Sequence, residues 1–269
     1  MLLSQSLLQS VLNITLQAGE YLKEFYKQDI NIYIKSDKTP VTNADLFLHQ
    51  FIIEQLNKLT PNIPVLSEES CNLPLSERLT WDAYWLIDPL DGTQQFINKT
   101  DQFSIIISLV QNHIPTLGVI HSPILKQTYY AMKNYGAHKL VNNKEIQLHP
   151  KTLSEASPIK ISIGSIGTKN QLQKLLNPNQ AYEFKIYGSS SLKTTLVANG
   201  DADCYIRLGK TGEWDTAAAE ILLSEIGGAI YDLQFQPLTY NQRETLINPD
   251  FIMVIDNKFD WRTIFNTKS

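Results

Sequence analysis

The sequence predicts a layered α+β fold within one large domain. Three observations predict it: helical periodicity opens the chain, strand-like runs dominate the middle, and the second half alternates strands with helices. With 269 residues, 43% hydrophobic and 19% charged, the chain can bury a substantial core. The formal net charge of −4 argues against nonspecific nucleic-acid binding, which needs a basic surface to neutralise phosphates. No basic stripe with interleaved aromatics is present either, so nucleic acid is not an expected partner.

The first helix is predicted over 5–27, where Leu3, Leu7, Val11 and Ile14 mark one face. This stretch does not read as a signal peptide, because no Lys or Arg precedes Lys23 and Gln, Asn and Ser interrupt it. No run approaches the roughly 18 apolar residues of a membrane span. The expectation is a soluble cytoplasmic protein without a transmembrane segment. Peripheral attachment at the inner face of the cell membrane, through the N-terminal helix, stays open. A second helix is predicted over 43–58, capped by Thr42 or Asn43, since Pro40 disfavours helix just before it.

Strands follow at 84–87, 104–110, 115–121 and 128–133, punctuated by Gly118 and Gly136. The run at 104–110 is rich in β-branched residues and suits a strand covered on both faces. Beyond it the pattern gives strand 159–165, helix 169–176, strand 183–187, helix 190–198 and strand 202–207. A long helix begins near Trp214 and stops at Gly227–Gly228, where glycine can take the left-handed cap conformation. A strand at 251–255 and a short helix near 261–265 finish the chain. Cys71 and Cys204 form no CxxC pair and read as two reduced thiols.

Three acidic segments carry the chemistry: Ser67-Glu68-Glu69-Ser70, Asp88-Pro89-Leu90-Asp91-Gly92-Thr93 and Trp214-Asp215-Thr216-Ala217-Ala218. Each lies just past an apolar run or at a helix start, where sheet-based folds assemble sites. Asp88 and Asp91 can face one metal cluster from a tight turn, with the Leu90 carbonyl between them. A short helix after Gly92 would aim the amides of Gly92 and Thr93 at an anion. Such hard oxygen donors suit Mg²⁺ or Mn²⁺ better than zinc. Ordinary structural readings stand beside these. Asp215 can be a helix cap, Glu68-Glu69 a solvated loop, and Asp88 to Gly92 an Asx turn.

In these residues the chain resembles the inositol monophosphatase superfamily of Mg²⁺-dependent, lithium-sensitive phosphatases. Asp88-Pro89-Leu90-Asp91-Gly92-Thr93 followed by Phe96 resembles its first signature. Trp214-Asp215-Thr216-Ala217-Ala218 with Glu225-Ile226-Gly227-Gly228 resembles the second. Lys35, Asp37, Pro40, Val41, Thr42, Ala44 and Asp45 resemble the N-terminal motif, and Ser67-Glu68-Glu69 the acidic loop. The pieces stand in the family order over about residues 5–255.

The resemblance implies an αβαβα sandwich of the sugar-phosphatase type. It would be one unit over 1–269, with the acidic loops in about 1–150 and the substrate side in 151–269. It also implies two or three Mg²⁺ ions, replaceable by Mn²⁺, held by Glu68, Asp88, Asp91, Asp215 and the Leu90 carbonyl. Asp45, Glu68 and Thr93 would be catalytic, with Thr93 and Asp45 orienting and deprotonating the attacking water. Gly92 and Thr93 would hold the phosphate, with Asp91 and Asp215 also meeting the substrate. A homodimer is an expectation for the family.

Within the superfamily, Gly188-Ser189-Ser190-Ser191-Leu192-Lys193, Arg207 and Glu213-Trp214-Asp215-Thr216 look most like the CysQ-type 3′(2′),5′-bisphosphate nucleotidases. The implied substrate is adenosine 3′,5′-bisphosphate, with Ser190, Lys193 and Arg207 meeting the nucleotide. Its second phosphate calls for cations beyond the metals. An inositol or sugar phosphate is the alternative substrate, and a catalytically idle phosphometabolite-binding module is a remote one. One departure bears on that choice: residues 163–168 lack the serine–histidine pair of related nucleotidases, and no histidine follows His149.

Overall fold

The structure, a computed structural model, describes residues 3–35, 38–142, 144–154 and 157–265; Asp37 of the N-terminal motif lies outside them. Helix α1 (Gln5–Tyr26) starts where Ser4 Oγ accepts the Leu7 amide, and it buries Leu7, Val11, Ile14, Ala18 and Leu22. Strands β1 (Ile32–Ile34) and β2 (Pro40–Thr42) then form a short antiparallel hairpin. Helix α2 (Asn43–Leu59) is capped by Thr42 rather than Asn43. Thr42 Oγ1 accepts the Asp45 amide, and the Asp45 carboxylate accepts the Thr42 amide, a reciprocal capping box.

A seven-stranded sheet follows in the order β3 to β9: Val65–Ser67, Ala83–Asp91, Ser104–Gln111, Ile114–Ser122, Gln127–Met132, Gly136–Val141 and Lys144–Gln147. Only β3 and β4 pair in parallel in this sheet; the other neighbours are antiparallel. Helices α3 (Leu75–Arg78) and α4 (Thr93–Ile97) flank β4 in the chain. The second half supplies β10 (Ile159–Ile163), α5 (Ile166–Leu172), β11 (Tyr182–Ile186), α6 (Ser190–Ala198), β12 (Cys204–Arg207), α7 (Glu213–Ser224), β13 (Ala229–Asp232) and β14 (Phe251–Val254). Their five strands run in the order β11-β10-β12-β14-β13.

The predicted helix at 169–176 begins earlier because Ser165 Oγ accepts the Thr168 amide and starts α5 at Ile166. The closing helix is a single 3-10 turn at Trp261–Thr263.

Three apolar cores explain the layering. One joins α1 and α2 to the large sheet through Leu22, Leu48, Trp85, Ile107 and Val119. The second lies between the two sheets, where α7 contributes Ala217, Ala218, Ile221 and Leu222. The third covers the outer face of the small sheet with Leu172 of α5 and Trp261. Helix, sheet, helix, sheet, helix is therefore the layer order, with α6 and α7 in the middle. Strands β4 and β5 are buried along nearly their whole length, as the apolar run at 104–110 predicted.

Gly118 breaks nothing: it sits inside β6, where a Cβ would lie 2.7 Å from both Ala218 Cα and Ile221 Cγ2. The close approach of α7 to the large sheet depends on that missing side chain. Gly118→Ala should therefore lower stability by about 1–3 kcal/mol through overpacking. Urea unfolding checks this, with a smaller midpoint and an unchanged slope expected.

Candidate metal centre and active site

In a regular strand, residues three apart point to opposite faces, so Asp88 and Asp91 on β4 should diverge. They do not, because β4 carries an extra residue here. Asp88 pairs with Ile106 and Asp91 with Ser104, so three steps on β4 match two on β5. Pro89 sits in this bulge, where a missing amide hydrogen is tolerated. The Asx turn is present too, since the Leu90 amide donates to Asp88 Oδ1 at 2.9 Å. From the middle layer, Asp215 stands in the first turn of α7 and accepts the Gly212 amide at 2.6 Å. The turn reading is thus correct, whereas the N-cap of α7 is Gly212 and Asp215, the third residue of the helix, accepts its amide; neither feature excludes a site.

One oxygen from each of Asp88, Asp91 and Asp215 lies within 4.8 Å of the others, and all three residues are at most 9% exposed. Burial pushes the carboxyl of Asp88 well up, and Glu68, Asp91 and Asp215 push it further. Asp215 is raised in the same way, first by burial and then by Asp91 and Glu68, while Arg207 works in the other direction. Three oxygen donors without sulfur or imidazole fit a hard divalent cation. The cation would relieve the repulsion they impose on one another.

Glu68 stands beside this group, acting on Asp88 and Asp215 through its charge. Its Oε1 accepts Lys35 Nζ at 3.0 Å, and Glu69 Oε1 accepts the same ammonium at 2.7 Å. Burial works against the charge of Lys35, but the two carboxylates outweigh it and hold the ammonium above its ordinary range.

Asp45 and Thr93 meet as the family resemblance implied: Thr93 Oγ1 donates to Asp45 Oδ1 at 3.0 Å, with the Leu90 carbonyl at 3.3 Å as its second acceptor. Thr42 supplies its amide and hydroxyl to Asp45 Oδ2, at 2.8 and 2.5 Å. Burial raises the Asp45 carboxyl to about 6 against these hydrogen bonds. Gly92, at φ +90°, turns the chain into α4, and its missing Cβ lets Ser189 and the Gln102 carbonyl close in. The first amides of α4 have no acceptor within the helix.

The residues expected to meet a nucleotide are placed unequally. Ser190 Oγ shares a hydrogen bond of 3.2 Å with Tyr205 OH. Arg207 gives Nη2 to the Lys210 carbonyl at 3.0 Å, while its Nε is buried without a partner among the described residues. Lys193 is only 1% exposed. Its ammonium donates to the carbonyls of Gly188, Ser189 and Tyr187 at 2.6, 2.7 and 3.4 Å, and lies 5.0 Å from the Tyr205 ring centre. Burial lowers it to about 8.

Ser189 and Ser191 were quoted in the Gly188–Lys193 motif without a role of their own, yet both hydroxyls donate to Asp91 Oδ2. The motif does not disclose this contact, because their partner lies about a hundred residues earlier in the chain.

Comparison with known proteins agrees with this geometry. Residues 4–258 match the Inositol monophosphatase family. The chain is 55% identical over 266 residues, covering 99% of both chains, to the 3′(2′),5′-bisphosphate nucleotidase CysQ of Aggregatibacter actinomycetemcomitans. It is 53% identical to the protein of the same name from Haemophilus influenzae, covering 98% of each. Among solved structures, CysQ from Bacteroides thetaiotaomicron superposes with a TM-score of 0.79 at 33% identity, over 94% of this chain and 98% of that one. On its layers, its acidic cluster and these relatives, the chain belongs to the inositol monophosphatase family.

Proposed function

We propose that this chain is a Mg²⁺-dependent 3′(2′),5′-bisphosphate nucleotidase that removes the 3′-phosphate of adenosine 3′,5′-bisphosphate to leave AMP. The observation that carries the chemistry is the buried Asp88, Asp91 and Asp215 cluster beside the Thr93–Asp45 pair. The choice of substrate rests on the two relatives named as nucleotidases at more than half identity. Asp88, Asp91, Asp215, Glu68 and the Leu90 carbonyl would hold the Mg²⁺ ions, and Mn²⁺ can take their place. When bound, these ions lower the pKa of coordinated water and neutralise charge on the phosphate and leaving oxygen.

The chain's own residues supply position and proton transfer. Asp45 is held by three donors and keeps its Oδ1 toward Thr93. Thr93 Oγ1 then receives a hydrogen bond from the attacking water as its own proton passes toward Asp45. The Gly92 and Thr93 amides, left open by the short helix, hold the phosphate oxygens. Fixed donors of this kind need no reorganisation during the reaction. Arg207, whose charge already reaches Asp215, is the side chain best placed to meet the second phosphate of the nucleotide.

Asp45→Asn should lower kcat at least about tenfold and leave KM within about twofold, because it removes a proton acceptor rather than a binding contact. Steady-state kinetics decide this, and a change confined to KM would contradict the role. Phosphate release from adenosine 3′,5′-bisphosphate and inositol 1-phosphate, measured in parallel with Mg²⁺, tests the substrate. A kcat/KM ratio of about a hundred or more in favour of the nucleotide is expected, equivalent to about 2.7 kcal/mol. Preference for the inositol ester would overturn the nucleotidase reading and leave the phosphatase chemistry standing.

A further inference from the structure

Helix α2 carries Asp45 in its first turn, and His49 follows one turn later on the same face. Asp45 reaches Thr93. His49 reaches the acidic loop instead: its Nδ1 lies 2.9 Å from Ser67 Oγ. Ser67 is fully buried at the end of β3, and Glu68 follows it directly. In the parallel pairing of β3 with β4, Ser67 stands beside Ile87, so Glu68 emerges beside Asp88.

The Ser67 hydroxyl is used twice. It accepts the Glu69 amide at 3.3 Å and so caps the single 3-10 turn Glu68–Ser70. A hydroxyl has one hydrogen and two acceptor positions, so Ser67 can hold that amide and give its hydrogen to His49 Nδ1 together. Burial lowers the pKa of the imidazole against the charge of Glu69, which keeps the ring neutral and one nitrogen free to accept. A 3-10 turn this short is weakly held by its own hydrogen bonds, so the contacts at its start set the direction of Glu68.

We propose that His49 is a positioning residue for the metal centre: through Ser67 it holds the turn that carries Glu68 against α2, in fixed relation to Asp45 and Thr93. One turn of α2 thus orders the proton acceptor with Asp45 and the acidic loop with His49. His49 itself touches neither cation nor substrate. Its loss loosens Glu68 and weakens cation binding, while the Thr93–Asp45 pair keeps its geometry. Saturating Mg²⁺ then restores turnover. General damage to the fold would instead lower turnover at every Mg²⁺ concentration, and a substrate contact would raise KM even at saturation.

This proposal rests on reading the acidic cluster as a Mg²⁺ site. Titration calorimetry with Mg²⁺ alone is run on the unaltered protein, His49→Leu, His49→Asn, Ser67→Ala and the Ser67→Ala/His49→Leu double variant, each checked by circular dichroism. His49→Leu and Ser67→Ala should each bind Mg²⁺ about tenfold more weakly, the lower end of what removing partners of metal ligands costs. Asparagine keeps an acceptor where Nδ1 stood, so His49→Asn should stay within about threefold of the unaltered protein. The double variant should match Ser67→Ala to within about twofold, because both changes break one contact. In phosphate-release kinetics, His49→Leu should need more Mg²⁺ yet reach a kcat within about threefold of normal at saturation. Unchanged Mg²⁺ affinity in His49→Leu, or losses that multiply in the double variant, would overturn the proposal. If His49→Leu fails to fold, unchanged affinity in Ser67→Ala overturns it. An unaltered protein that binds no Mg²⁺ would overturn the metal reading and this proposal with it, a result distinct from binding that the variants leave unchanged.

Discussion

Everything in this structure is arranged around three buried carboxylates that repel one another. Asp88, Asp91 and Asp215 place an oxygen each within 4.8 Å, and all three side chains are buried. A fold with no use for such a cluster would lose it, because burial and like charge both act against ionisation. The fold accommodates it by meeting the acids with donors. Asp91 receives the Ser191 amide at the start of α6, and Asp215 receives the Gly212 amide at the start of α7. Both helices belong to the middle layer and turn their positive ends toward the cluster.

Convergence at this point follows from two local departures from regular structure. The bulge in β4 brings Asp88 and Asp91 to one side, and Gly92 lets the chain turn at once into α4. The capping box of α2 then has a second use. The Asp45 carboxylate that satisfies the Thr42 amide also reaches Thr93 across 48 residues of chain. Tight packing of α7 on β6 at Gly118 keeps Asp215 in register with the strand that carries the other two acids. A change in this packing, at Ala218 one turn along α7 from Asp215 for instance, would therefore be felt at the metal ligands.

Much of the fold was legible because its central elements are long and strongly patterned. The helices at α1 and α2 and the strands β4 to β7 follow their apolar periodicity to within a few residues. Strands β1 and β9 were not legible: they are short and exposed along their whole length, so no burial pattern marks them. At the site, Asp88, Asp91, Thr93 and Asp215 could be named from the acidic segments that hold them, and Asp45 from the resemblance to the family's N-terminal motif. Lys193 could be named as a cation, but its burial and its carbonyl partners depend on a turn whose shape the sequence does not declare. The role of Ser189 and Ser191 was hidden for the same reason, their partner being distant in the chain.

The most direct test of this account is thermal unfolding of the unaltered protein and Asp88→Asn at about pH 8, where an unfolded carboxyl is fully ionised, each with and without Mg²⁺. Asparagine keeps an oxygen for the Leu90 amide and removes the charge. If the cluster is held together at an electrostatic cost that cations relieve, Asp88→Asn will melt higher than the unaltered protein without Mg²⁺. Mg²⁺ will then raise the midpoint of the unaltered protein by several degrees, and that of the variant hardly at all. A variant that melts lower without Mg²⁺ and responds to the ion as the unaltered protein does would contradict the account.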